Sequence, residues 1–139
     1  MISVVACTPN LLWEIEPIPG QIAEVGVLQH HLEGALAFLI DGRPIAAGGI
    51  FEIWDRVGEA WAVLSQESLE EHGYSMTMAL RRHLAEMMLE KFGRIYMYGA
   101  VDNPKMLDWT ESLGFEKEGV LKNFGPGAVG DFYVFGRVN

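Results

Sequence analysis

The sequence predicts a single α/β domain over residues 1–139, an α+β mixture built on a mixed, twisted sheet with helices on both faces. Three observations predict it. Residues 34–65 read as three short consecutive strands, an antiparallel meander. Residues 59–93 read as a strand, a polar turn and one long amphipathic helix. Residues 94–139 supply a buried strand, a second helix and a closing strand pair. The strands flanking the long helix must be parallel neighbours, because a crossover returns the chain in its starting direction.

Residues 1–33 form an abbreviated N-terminal part. The apolar run at 2–6 suits a first strand, and Thr8-Pro9 offers a helix start, with Thr at the cap and Pro in the first turn. Pro17, Pro19 and Gly20 break the chain, and Ile22, Val25 and Leu28 give 21–31 the single apolar side of a short helix. Residues 35–40 are a buried-strand run, and Asp41-Gly42 is a hairpin signal. The return strand, 44–54, contains Gly48-Gly49, which implies a bulge or a close backbone approach. Arg56-Val57-Gly58 then turns the chain into the strand of Trp61, Val63 and Leu64.

In the third stretch, 66–93, Met76, Leu80, Leu84, Met87 and Met88 recur every three or four residues. That spacing is one stripe of a helix, with Thr77, Arg81, Arg82, Glu86 and Glu90 facing out and Gly93 suited to a left-handed cap. The helix has two candidate starts. Ser68-Leu69-Glu70-Glu71 is a capping-box signature, which makes Gly73 an interior residue. Alternatively the chain turns at Gly73, leaving unpaired N–H groups where an anion can sit. Residues 94–101 are a buried strand, and Asp102-Asn103-Pro104 opens the second helix. Met106, Leu107, Trp109 and Leu113 give that helix its apolar side, and Gly114 closes it. Residues 115–124 and 132–138 read as strands joined by Gly125-Pro126-Gly127.

Composition excludes several classes. Half of the chain is hydrophobic and 21% is charged, so a core is available and disorder is not expected. A net charge of −9, with ten basic residues and no cluster beyond Arg81-Arg82, argues against nucleic acid, which demands a Lys/Arg patch. The same charge suits cationic partners such as amines or basic peptides. The start MISVVACTPN lacks a basic n-region and is a poor signal peptide. No apolar stretch approaches the ~20 residues of a membrane helix. With Cys7 as the only cysteine, no internal disulfide forms; a cytoplasmic protein without membrane contact is expected. Cys7 has no evident His partner for thiol catalysis, and the adjacent His30-His31 have no third ligand nearby, so no metal is expected.

From Ala35 to Val138 the order of elements resembles the GNAT superfamily of acyl-CoA-dependent N-acetyltransferases. The stretch VDNPKMLDWTESLGFEKEGVLKN, followed by Asp131-Phe132-Tyr133, is similar to the family's succession of strand, Asn, helix, Gly-Phe, Glu-Gly and Asp-x-Tyr. The ending GPGAVGDFYVFGRV and the lead-in from Trp61 to Ser65 also resemble small phage-encoded GNAT-like proteins of the internal virion type. The family resemblance implies acetyl-CoA as cosubstrate and a small-molecule or peptide amine as acceptor. Carried over, Val63 and Leu64 line the pantetheine, and amides around Gly73, Tyr74 and Ser75 hold the diphosphate. Asn103 keeps the family residue, and Glu59, or Glu52 on the preceding strand, supplies the general base. Sheet edges of this fold also admit a homodimer.

Two departures stand out. The family turn Gln/Arg-x-x-Gly-x-Gly/Ala falls on Glu70, Gly73 and Ser75, and Glu67 and Glu71 add further carboxylates. At ~5 Å and an effective dielectric of ~20, each carboxylate–phosphate pair costs about 3 kcal/mol before screening. The Tyr that often protonates the leaving thiolate falls on Thr110, a far poorer acid. These departures imply a rival role: a non-catalytic GNAT-like phage protein, in the virion or at a host partner, with a degenerate CoA site.

Overall fold

Small residues on two neighbouring strands decide where the largest side chain of the N-terminal half can lie. In the computed structural model, which describes residues 2–17 and 29–138, strand β2 (Leu36–Ile40) pairs antiparallel with β3 (Arg43–Trp54), and β1 (Ile2–Ala6) pairs antiparallel with β2. Ala37 sits opposite Ala47 in that ladder. A Cβ on Gly49 would lie 3.0 Å from the Ala35 Cβ and 3.1 Å from the Trp61 indole nitrogen. Trp61 belongs to β4 (Val57–Leu64) and its ring covers the space that the missing side chain leaves. A Cβ on Gly48 would meet the Trp61 carbonyl oxygen at 3.0 Å. The glycine pair thus marks a close approach, whereas the irregularity of register falls elsewhere, between Phe38 and Leu39.

The sheet runs β1-β2-β3-β4-β5-β7-β6, with β5 at Arg94–Ala100, β6 at Glu116–Leu121 and β7 at Phe132–Val138. It is mixed, as the sequence predicts: β4 pairs parallel with β5, and β5–β7 and β6–β7 are antiparallel. The chain divides into two compact units, Met1–Phe51 with Ala60–Gly73, and Glu52–Glu59 with Tyr74–Asn139.

The first unit gathers Cys7, Leu12, Ile15, Ala35, Ala37, Ala47, Trp61 and Val63 into one apolar cluster. Helix α1 (Pro9–Glu14) starts where Thr8-Pro9 predicts, and the Thr8 hydroxyl accepts the Leu11 N–H at 3.2 Å. Asp41 and Gly42 both take positive φ, 51° and 77°, as the tight hairpin requires. The helix expected over 21–31 lies outside the described residues, except that Gln29 and His30 form a turn.

Of the two expected starts of the long helix, the one at Gly73 is adopted and the capping box at Ser68 is not. Ser65, directly after β4, caps a short helix α2 (Gln66–Glu71) by accepting the Ser68 N–H at 3.2 Å. Ser68 is therefore interior and fully buried, and its hydroxyl donates back to the Ser65 carbonyl at 2.7 Å. His72, at φ −128° and ψ 10°, breaks the helix, and α3 (Gly73–Glu90) begins at the next residue. The Ser68 box loses because Ser65 is anchored by the sheet: its N–H donates to Ile45 O at 3.1 Å.

In the second unit, α3 buries Met76 and Leu84, while Arg81, Arg82, Glu86 and Glu90 face solvent. Thr77 departs from the expected outer face, because its hydroxyl accepts the Trp109 indole N–H at 3.1 Å. Gly93 does not take a left-handed conformation; its N–H donates instead to Arg56 O at 2.9 Å. Helix α4 (Pro104–Ser112) ends as expected, with Gly114 at φ +96°. Its Leu107 packs 3.1 Å from where a Gly99 Cβ would stand. Among the described residues, no helix is long and apolar enough to cross a membrane.

The Trp61 indole N–H is buried with no acceptor among the described residues, so this cluster is held by shape rather than by a hydrogen bond. We expect Gly49→Ala to lower stability by ~1–3 kcal/mol through overpacking, measured by denaturant unfolding. Unchanged stability would show that the tryptophan is free to shift.

Candidate acyl-transfer site

Alternation along β5 puts Arg94, Tyr96 and Tyr98 on one half-buried face and Ile95, Met97 and Gly99 on the buried one. The parallel ladder joins Val57 to Arg94, Gly58 to Ile95 and Glu59 to Tyr96. Glu59 and Tyr96 are therefore side by side, and the Tyr96 hydroxyl hydrogen-bonds the Glu59 carboxylate. Burial first, and then the Glu59 charge, pushes the Tyr96 hydroxyl up to about 12. Tyr98 is raised as well, by burial and by the same carboxylate.

The tyrosines continue into an aromatic row. Tyr96 and Tyr98 meet edge-on at 5.7 Å between centroids, Tyr98 meets Phe124 at 4.8 Å, and Phe124 meets Phe132 at 5.7 Å. At the other side of Tyr96 the Arg94 guanidinium stands 5.9 Å from the ring centroid. Both Arg94 amino groups bind both oxygens of Glu118, one bond at 3.0 Å and the second short. This pairing holds the Glu118 carboxyl below, and the Arg94 guanidinium above, its ordinary range. It depends on Gly136, whose Cβ, if present, would overlap the Glu118 carboxylate.

The other predicted residues fall as follows. Glu52 is exposed near the outer end of β3, and Glu59 is half-buried. Asn103 caps α4, its side-chain oxygen accepting the Met106 N–H at 3.4 Å. Thr110 is buried, 1% exposed, and donates to Met106 O at 2.8 Å, so its hydroxyl serves the helix. Val63 and Leu64 are fully buried in the first unit. Gly73 opens α3, and Tyr74 and Ser75 are exposed in its first turn. Backbone N–H groups there have no acceptor within the helix, which suits a diphosphate.

Two of the three carboxylates of the turn are held by neighbours in the first unit. Arg43 binds both oxygens of Glu67, at 2.6 and 2.8 Å, and holds that carboxyl below its ordinary range. Glu70 accepts from the Gln66 side-chain amide. Glu71 is exposed, 4.0 Å from His72. Glu67, Glu71 and His72 offer ligand atoms within 4.8 Å of one another, but Arg43 already occupies Glu67. His31 stacks on Phe51 at 4.4 Å, a packing role rather than a ligand one. Cys7 is buried, which raises its thiol and disfavours the reactive thiolate.

No protein-family model matches the sequence. No curated protein matches it either. The fold, however, matches solved structures along its whole length. Ard1 from Thermoplasma volcanium superposes with a TM-score of 0.78 at 9% identity, over 99% of this chain and 97% of that one. A GNAT-family acetyltransferase from Streptococcus pneumoniae gives 0.73 at 12% identity, with all of both chains covered. The microcin C7 self-immunity acetyltransferase MccE, solved with acetyl-CoA and AMP, gives 0.72 at 14%, over 99% of this chain and 92% of that one. The chain has the fold of the GNAT acyl-CoA N-acyltransferases. These neighbours, all under 25% identical, carry a likeness of fold and do not bear on the internal virion resemblance.

Sequence reasoning missed Tyr96, Tyr98 and the Arg94–Glu118 pair, although the alternation in RIYMYGA places the first three on one face. The raised Tyr96 carries a pH dependence. Unfolded tyrosine loses its proton near pH 10, whereas Tyr96 keeps its proton to about 12. Its stabilisation is complete below pH ~10 and is lost as pH rises through the folded value. Tyr96→Phe should therefore flatten part of the alkaline loss of stability and remove the latest-titrating tyrosinate absorbance. Retention of that late-titrating absorbance in Tyr96→Phe would contradict the assignment of the raised tyrosine to Tyr96.

Proposed function

We propose that this protein transfers an acetyl group from acetyl-CoA to a primary amine. The observation that carries the reading is the half-buried Glu59, held against Tyr96 by the parallel ladder of a GNAT fold. Acetyl-CoA, when bound, supplies an activated thioester carbonyl for the amine to attack; as the C–N bond forms the C–S bond breaks, and the CoA thiolate leaves and takes its proton from solvent, since the Thr110 hydroxyl is committed to Met106 O. The amine arrives protonated and must lose a proton, and Glu59 is the group placed to take it. Tyr96, neutral throughout the physiological range, donates to Glu59 and fixes the direction in which its remaining lone pairs point. The first turn of α3, at Gly73, Tyr74 and Ser75, receives the diphosphate. Asn103 combines its capping bond with a place at the start of α4, and the buried backbone of Val63 and Leu64 is the stretch offered to the pantetheine arm. Glu52 is the secondary base; its exposure leaves it less able to exclude water than Glu59.

Thermal unfolding with and without acetyl-CoA tests the reading. A site at 100-fold excess over its dissociation constant adds ~2.7 kcal/mol of stability, and Glu59→Gln should keep that shift while turnover falls by roughly 10²–10⁴-fold. No shift at millimolar acetyl-CoA would favour the non-catalytic role, in a virion or at a host partner. Unchanged turnover in Glu59→Gln would move the base to Glu52.

A further inference from the structure

We infer that the outer edge of β1 is a self-association site, where two copies of this chain pair antiparallel and two-fold symmetric about Val4. The inference stands on the first unit and is independent of the acyl-transfer reading.

The ladder to β2 decides which backbone groups of β1 are already used. The Cys7 N–H donates to Ala35 O at 2.9 Å, and the same register sets Val5 opposite Ala37 and Ser3 opposite Leu39. In an antiparallel ladder such bonded pairs alternate with pairs whose N–H and C=O groups point the other way. Ile2, Val4 and Ala6 therefore aim their backbone groups at the outer side of β1, which is the terminal strand of the sheet. Among the described residues, no backbone bond outside the ladder reaches them.

The side chains leave this edge open. Successive residues of a strand point to opposite faces, yet Val4 is 48% and Val5 37% exposed. The strand carries no charge, proline or glycine, and its pairing with β2 runs without irregularity. The devices that ordinarily blunt an edge are thus missing from it. The strand at the opposite end of the order, β6, has them: Glu116, Lys117 and Glu118, and a register shift between Lys117 and Gly119.

A second copy is the occupant that the strand itself specifies. With Val4 of one copy opposite Val4 of the other, the two residues exchange both bonds, and Ile2 of each copy meets Ala6 of the other in the same bonded geometry. Every outward group of the strand is then used. Centring on Ser3 leaves Ala6 without a partner in the strand, and centring on Val5 leaves Ile2 without one. β1 is also a neutral stretch in a chain of net charge −9, so two like-charged copies can meet there at little electrostatic cost. A strand pair this short buries less than the ~800 Å² per partner of a standard interface, so the dimer forms with rising concentration.

Sedimentation velocity of the whole chain from micromolar to millimolar concentration tests this, with amide hydrogen exchange at both ends of the range. We expect a monomer–dimer equilibrium in which the Ile2, Val4 and Ala6 amides gain protection as the dimer forms, whereas Ser3 and Val5 are protected throughout. Val4→Pro removes the central outward N–H without removing a bond to β2, and should weaken the dimer by roughly tenfold or more. Val4→Lys, which keeps the backbone unrestricted and sets like charges across the two-fold axis, should do the same if the proline variant does not fold. Val120→Lys, at a β6 position 51% exposed, should leave the dimer intact. A chain that stays monomeric at millimolar concentration would overturn the inference. So would a dimer that survives Val4→Lys, is lost in Val120→Lys, or forms without protecting the Val4 amide. A monomer whose Val4 amide is protected only on adding an alternating Lys-Val peptide would give the edge to a basic partner instead, and would overturn it as well.

Discussion

The carbonyl of Arg56 sets the register on which the site depends. Arg56 turns between β3 and β4 at φ 63°, and its oxygen accepts two successive N–H groups, Gly93 at 2.9 Å and Arg94 at 3.3 Å. Those two bonds tie the start of β5 to the start of β4. Counting on from the Arg94–Val57 pair, side chains two residues along each strand must meet, and they are Tyr96 and Glu59. A slip of one residue would put Ile95 against Glu59 and send both tyrosines to the opposite face. The pairing of Glu59 with Tyr96 and the placing of the aromatic row are thus consequences of one backbone junction at the far end of the ladder.

An acidic chain has to place its carboxylates so that they do not repel one another. Here the paired ones are paired locally. Arg43 takes Glu67, and Arg94 takes Glu118 in the same two-bond geometry, each across a separation of 24 residues. Such forks fix orientation as well as charge. In the Glu118 case the geometry also needs a strand irregularity between Lys117 and Gly119 and a glycine at 136 for the carboxylate to cross. The net charge of −9 therefore describes the chain as a whole and not the local field at either arginine.

What was legible in the sequence was periodic or capped. Short apolar runs bounded by turn residues marked the strands, the three-and-four spacing marked α3, and Thr8-Pro9 and Asn103-Pro104 marked helix starts that the fold adopts. The order of elements was enough to imply the GNAT fold. Of the two starts left open for the long helix, Gly73 holds and the Ser68 box does not, because Ser65, three residues earlier, satisfies the same local capping pattern. Only the sheet bond from Ser65 to Ile45 decides between them. Glu59 was legible as a strand-end carboxylate, but its partner was not, since Tyr96 lies 37 positions away and becomes a neighbour only through the parallel register. Thr110 was recognised as a departure from the family, and the reason, a hydroxyl committed to Met106 O, required the helix to be seen.

If Glu59 serves the proposed acyl transfer through its contact with Tyr96, a double-mutant cycle on kcat/KM reveals the coupling. The cycle compares Glu59→Gln, Tyr96→Phe and the double variant with the unsubstituted chain. Strong non-additivity is expected: once Glu59 is neutral, losing the Tyr96 hydroxyl should cost little further, leaving a coupling of ~0.5–3 kcal/mol. Additive losses in the double variant would mean that the two residues act independently, and the ladder contact would then have no part in the chemistry.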